Sequence, residues 1–152
     1  MTHTLNGVPL LVVGAGIMGV GIAQVAAQAG HTVMLFDTRD GASTEAKDKL
    51  AKTLDSLVAK GKLSAEVAAQ TLGRIDTISA LTEAASARVV VEAIVENLAI
   101  KRGLFQQLEA IVAPDCVLAT NTSSISVTAI ANGLQHPGRL VGMHFFNPVP
   151  LM

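Results

Sequence analysis

The chain has 152 residues, half of them apolar and only 15% charged, with a formal net charge of −1. That length suits one domain with a real core, and that balance excludes a disordered chain and a basic surface for nucleic acid or anionic lipid. Four phenylalanines stand alone, without tyrosine or tryptophan, so base-stacking platforms are excluded too.

No Lys, Arg, Asp or Glu occurs before Asp37. A secretory signal needs a basic start, where only His3 stands, and Gly14, Gly16, Gly19 and Gly21 with Gln24 and Gln28 interrupt any membrane helix. The chain is therefore expected to stay in the cytoplasm, with no membrane partner. Pro9 to Gly16 is a continuous apolar run closed by glycines, which predicts a strand buried on both faces. Ile17 to Ala29 reads as an Ala-rich helix ended by Gly30, and His31 to Asp37 as a second strand. Ala42 to Lys60 is an amphipathic helix with Leu50, Leu54, Leu57 and Val58 on one face. Gly61 breaks it, and Ser64 opens a shorter helix that ends near Gly73. Arg74 to Ser79 is a weak strand and Arg88 to Ile94 a strong one. Leu98 to Val112 is a helix stopped by Pro114. The next strand begins at Cys116, a lone cysteine that suits a buried thiol in a reducing compartment, with no zinc pattern around it. Val127 to Ala131 is a short helix and Arg139 to Phe145 the last strand. Strand and helix alternate without repeats or linkers, which predicts one α/β domain with a doubly wound, mostly parallel sheet.

Gly14-Ala15-Gly16-Ile17-Met18-Gly19 is a G-x-G-x-x-G string. Alone it is weak; here it leaves a predicted strand, opens a predicted helix, and is followed by Asp37 at the end of the next strand. Gly14 permits the tight turn, Gly16 lets backbone approach a pyrophosphate, and Gly19 lets helix pack on strand. The helix N-terminus presents N–H groups to the phosphates. Asp37 is expected to bind the adenosine ribose hydroxyls and to repel a 2′-phosphate, favouring NAD over NADP. Arg39 is the one nearby feature that could help a phosphate.

The notable polar residues fall at the carboxyl ends of the predicted strands, where doubly wound sheets bind ligands. They are the glycine loop and Asp37, then Glu92 and Glu96, then Asn121 to Ser124, then His144 and Asn147. Taken bare, Lys101 is a solvated helix lysine, Glu96 a first-turn acid, and Ser123 a helix N-cap, although Ser124 or Ser126 fits that cap better. A lone histidine at a strand end is more often structural than catalytic.

With these residues placed, the chain resembles the N-terminal half of a 3-hydroxyacyl-CoA dehydrogenase. The resemblance rests on "GAGIMGVGIAQVAAQAG", "VVEAIVENLAIKRGLF", "ATNTSSISV" and "GMHFFNPVPLM" and covers essentially the whole chain. It implies NAD-dependent interconversion of (S)-3-hydroxyacyl-CoA and 3-ketoacyl-CoA, as in fatty-acid β-oxidation and related acid catabolism, and a dinucleotide-binding domain of the Rossmann type. His144 would be the base on the C3 hydroxyl, and Ser123 would hydrogen-bond the reacting oxygen. Glu96, Lys101, Asn147 and Asn121 would contact the cofactor, and Lys60 would meet the CoA phosphates, a looser match that a surface lysine explains equally well.

The resemblance also implies a glutamate beyond His144 and a second, helical domain that carries an active-site asparagine and most of a homodimer contact. Only eight residues follow His144, none of them acidic. The expectation is a cofactor-binding half, residues 1–152, weakly active or inactive alone, with "FFNPVPLM" an exposed apolar end. The competing readings are a non-catalytic dinucleotide-binding protein and a hydroxy-acid dehydrogenase that does not use CoA esters.

Overall fold

Each apolar run forms a strand, and each strand is short: β1 (Leu10–Val13), β2 (Val33–Phe36), β3 (Ile75–Thr77), β4 (Val89–Glu92), β5 (Val117–Thr120) and β6 (Leu140–Gly142). The computed structural model describes residues 6–152, so His3 lies outside the described residues. Between the strands run α1 (Ile17–Gln28), α2 (Ala42–Ala59), α3 (Ala65–Gly73), α4 (Leu98–Ile111) and α5 (Val127–Ala131). Two 3-10 turns that the residue pattern did not announce, Leu81–Ala84 and Pro137–Arg139, precede β4 and β6. The helices stop and start where the chain carries the right residues. Gly30 and Gly61 have φ of 99° and 69°, conformations that L side chains rarely adopt, and Ser64, Asn97 and Ser126 cap helix N-termini through their side chains.

The six strands form one sheet in the order β3-β2-β1-β4-β5-β6, with every neighbouring pair parallel. This is the Rossmann-type doubly wound arrangement expected above. The chain starts in the middle, builds outward through β2 and β3, then returns to add β4 on the other side of β1. That reversal leaves a crevice at the carboxyl ends of β1 and β4.

Alternate residues of each strand face opposite cores. Leu10 and Val12 of β1 pack with Val33, Leu35, Val89 and Val91 under Ile22, Leu50 and Leu54 of α1 and α2. Leu11 and Val13 pack with Val90 and Leu118 under Leu104, Phe105 and Leu108 of α4 and Ile130 of α5. Because both faces are covered, the strands read as unbroken apolar runs rather than alternating ones. Cys116 is buried in the second core, and burial pushes its thiol up to about 11.

Two expectations need correction. The last strand ends at Gly142 rather than Phe145. Met143 still donates to the Thr120 carbonyl at 2.8 Å, but the Phe145 N–H is taken by the Asn121 side-chain oxygen, also at 2.8 Å, so a side chain replaces the ladder. The segment from Phe145 is also not uniformly exposed. Val149 is buried against Gly21 of α1, where an added Cβ would come within 2.9 Å of the Val149 Cβ, and Phe145 packs on the first core. Phe146, Leu151 and Met152 do face solvent, and the Asn147–Pro148 peptide is cis. Among the described residues no helix is long and apolar enough to cross a membrane.

Candidate functional site

The glycine loop is shaped by two close approaches, at Gly14 and at Gly19. Gly14 has φ of 107°, and a Cβ there would collide with the Ala93 carbonyl at the end of β4. A Cβ on Gly19 would collide with the Gly14 carbonyl, so α1 lies directly on the turn that starts it. Gly16 is different, since an added Cβ would meet nothing within 4 Å. Gly16 is also the N-cap of α1, with no side chain occupying the helix end. Open space in front of uncapped N–H groups is what a pyrophosphate needs, so the residues present fit a dinucleotide. Ala15, Gly16 and Ile17 line a cleft of about 400 Å³ between α1, α2 and the Asn147–Pro150 segment.

Asp37 sits one residue past β2 and is fixed by two backbone donors. Ala15 N–H donates to its Oδ2 and Arg39 N–H to its Oδ1, both at 2.8 Å. The first of these ties the carboxylate to the glycine loop, so loop and acid form one unit. The Arg39 guanidinium pairs with Glu45 of α2, at 3.0 Å.

Across the sheet the ends of β4 and β5 meet the start of α4 in a buried polar network. Lys101, on the first turn of α4, has a side chain only 1% exposed. Its ammonium donates to Glu92 at 2.5 Å and lies 3.1 Å from Glu96. Glu92 is fully buried and also accepts from the Thr120 hydroxyl at 2.7 Å and the Ile94 N–H at 2.8 Å. Glu96 accepts from the hydroxyls of Thr122 and Ser124 at 2.8 and 2.9 Å. Burial alone would raise the Glu96 carboxyl, but the hydrogen bonds from Thr122, Lys101 and Ser124 prevail and hold it at about 2.

These contacts correct the bare readings of both residues. Lys101 is not a solvated lysine, because α4 leans this side onto β4 and β5. Glu96 is not in a helix first turn, because Asn97 caps α4 after it. Nor is Ser123 a cap: Ser126 holds the start of α5, and Ser123 is left exposed.

The second cleft, about 340 Å³, brings the remaining residues together. Met18, Glu96, Lys101, Asn121, Ser123, His144 and Asn147 all line it. Met18 belongs to the glycine loop and Asn147 borders the first cleft as well, so the two hollows adjoin. His144 is exposed, its ring 5.0 Å from that of Phe146, and among the described residues no carboxylate touches it. Asn121 is committed through its oxygen to Phe145 N–H, which holds the His144 segment at the mouth of the cleft. Lys60 does not join them. It is the exposed C-cap of α2, about 27 Å of helix beyond the end that faces Asp37.

Glu92 and Thr122 stand among the strand-end polar residues of the sequence without a role there, and Thr120, inside an apolar run, gives no signal at all. The signal for the role of Glu92 is its position inside "VVVE", an acid closing a run otherwise suited to full burial. Among the described residues no group of three metal-ligating side chains occurs.

Residues 10–152 match the family model for the 3-hydroxyacyl-CoA dehydrogenase NAD binding domain. A 3-hydroxyadipyl-CoA dehydrogenase of Escherichia coli (strain K12) is 45% identical over 148 residues, which cover 97% of this chain and 31% of that protein. A 3-hydroxybutyryl-CoA dehydrogenase of Clostridioides difficile is 40% identical over 143 residues, 94% of this chain and 51% of the relative. The crystal structure of an Escherichia coli 3-hydroxybutyryl-CoA dehydrogenase superposes with a TM-score of 0.93 at 46% identity, covering 97% of this chain and 31% of that one. The chain thus spans about a third to a half of the length of these relatives.

Proposed function

The chain belongs to the 3-hydroxyacyl-CoA dehydrogenase family through its NAD-binding domain, and from that premise we propose that it forms the cofactor-binding, histidine-bearing part of an enzyme that oxidises (S)-3-hydroxyacyl-CoA to 3-ketoacyl-CoA. The observation that carries this reading is the cleft in which Ser123, His144, Glu96, Lys101 and Asn147 converge beside the glycine loop. NAD is the cofactor of this domain, and bound at the glycine loop it would supply the hydride acceptor.

The remaining work falls to side chains of this chain. His144 accepts the proton of the C3 hydroxyl, the role in which imidazole is the side chain used most often. Ser123, exposed and unused by any helix cap, donates to the reacting oxygen and fixes its position. Lys101 and Glu96 form the floor on the cofactor side, with the ammonium held in place by the buried carboxylate of Glu92. Asn121 fixes the backbone after His144, which limits the freedom of the base. An acyl-CoA substrate agrees with the names of the relatives, and a short or dicarboxylic acyl group is the chemistry those names carry. In this reading the acyl pocket and a homodimer contact belong to a second helical domain, and the partner carboxylate of His144 to a glutamate beyond it in sequence, both outside these residues. A cytoplasmic site of action completes the proposal.

Two measurements test it. Titrating the chain with NADH beside NADPH should give saturable NADH binding and clearly weaker NADPH binding; failure to bind NADH would overturn the cofactor site. In a protein extended to the relatives' length, His144→Gln should lower acetoacetyl-CoA reduction by about 10²- to 10⁴-fold while NADH binding is kept. Full activity of that variant would remove His144 from the chemistry.

A further inference from the structure

Arg39 is the one feature of the adenosine end that the NAD reading leaves without a task. It stands two residues after Asp37, where a guanidinium can serve an NADP-type 2′-phosphate. Its backbone is spent on Asp37, through the 2.8 Å N–H contact to Oδ1. Its guanidinium is spent on Glu45, the acid in the first turn of α2, at 3.0 Å. Both side chains line the cleft that the glycine loop opens into, together with Lys49 one turn further along α2.

We infer that Glu45 is a specificity-determining residue of the cofactor site, holding Arg39 away from the ribose so that no guanidinium is offered to a 2′-phosphate. This rests on the dinucleotide reading above and adds a second selector to Asp37. Residues 37–46 contain three carboxylates, Asp37, Asp40 and Glu45, and a single cation, Arg39. With Arg39 paired, the ribose end presents net negative charge, which suits two free hydroxyls and disfavours a phosphate dianion. The pairing agrees with the ionisation of its members: the hydrogen bond from Arg39 lowers the Glu45 carboxyl, and the same bond raises the Arg39 guanidinium. The side chains are 66% and 55% exposed, so the lock is a weak one and its release is modest.

The test compares dissociation constants of NADH and NADPH for the 152-residue chain, for Glu45→Gln and for Glu45→Gln combined with Arg39→Gln. Freeing Arg39 should raise the NADPH-to-NADH affinity ratio about fivefold in the single variant, the scale of an exposed ion pair. The double variant should return to the ratio of the parent chain. A single variant that binds NADH normally with an unchanged ratio overturns the inference. So does a gain that survives in the double variant, since it would then come from removing a negative charge or from Lys49. Failure of the parent chain to bind NADH would overturn the cofactor-site reading and this inference together. Circular dichroism of the exposed-site variants should match the parent.

Discussion

Replacing Lys101 with methionine tests the buried network most directly. The substitution keeps the length of the stem and removes the ammonium. Glu92, fully buried, would retain the Thr120 hydroxyl and the Ile94 N–H but lose the only cation that touches it among the described residues. Breaking a buried ion pair by removing one partner costs about 3–5 kcal/mol, because the other charge stays desolvated. Glu96 adds little to this, since its side chain is 41% exposed and keeps its two hydroxyl donors. For a domain of this size each kcal/mol lowers Tm by roughly 2–4 °C, so a drop of roughly 6–20 °C is expected. The informative partner is Glu92→Gln in the same chain, which removes the stranded charge and keeps an acceptor for Thr120. The double variant should return to within about 1–2 kcal/mol of the parent, a coupling far from additive. Urea unfolding at constant m-value reads both quantities. A single variant costing under about 1 kcal/mol, or a double variant costing the sum, would refute the argument that the pair is desolvated and mutually dependent.

Acid stability should depend on Glu96. Its carboxyl is held below the usual 4.5, at about 2, so the folded chain binds fewer protons than the unfolded one between those values. The contribution is full above about 4.5 and lost as pH falls toward 2, reduced in size by the solvent exposure of the side chain. Glu96→Gln should therefore flatten the loss of stability across that window, and parallel acid-unfolding curves would refute it. The glycine loop offers a contrast between neighbours. Gly19→Ala should destabilise the chain by at least about 1–3 kcal/mol, because its Cβ would meet the fixed Gly14 carbonyl. Gly16→Ala should leave Tm nearly unchanged and weaken NADH binding, because its Cβ points into space that only a ligand would fill. Equal thermal effects at the two positions would contradict this assignment.

Much of the fold is local information. Unbroken apolar runs such as Leu10–Val13 and Val89–Val91 announce strands covered on both faces, and Gly30, Gly61 and Ser64 mark helix ends through conformation and capping chemistry. The spacing of Gly14, Gly16 and Gly19 ahead of Asp37 carries the dinucleotide motif for the same reason, since it describes one strand–turn–helix–strand unit. Other facts depend on which strands become neighbours. Lys101 looks like any solvated helix lysine until β4 and β5 bring Glu92 and Thr120 beneath it, from positions 9 and 19 residues away in the chain. Asn121 ends β6 early, and Val149 fits onto Gly21, only because β5 lies beside β6 and the last segment folds back over α1. Periodicity and capping are properties of a few consecutive residues and can be read along the chain. Burial of a charge is a property of what surrounds it, and here the strand order supplied the surroundings.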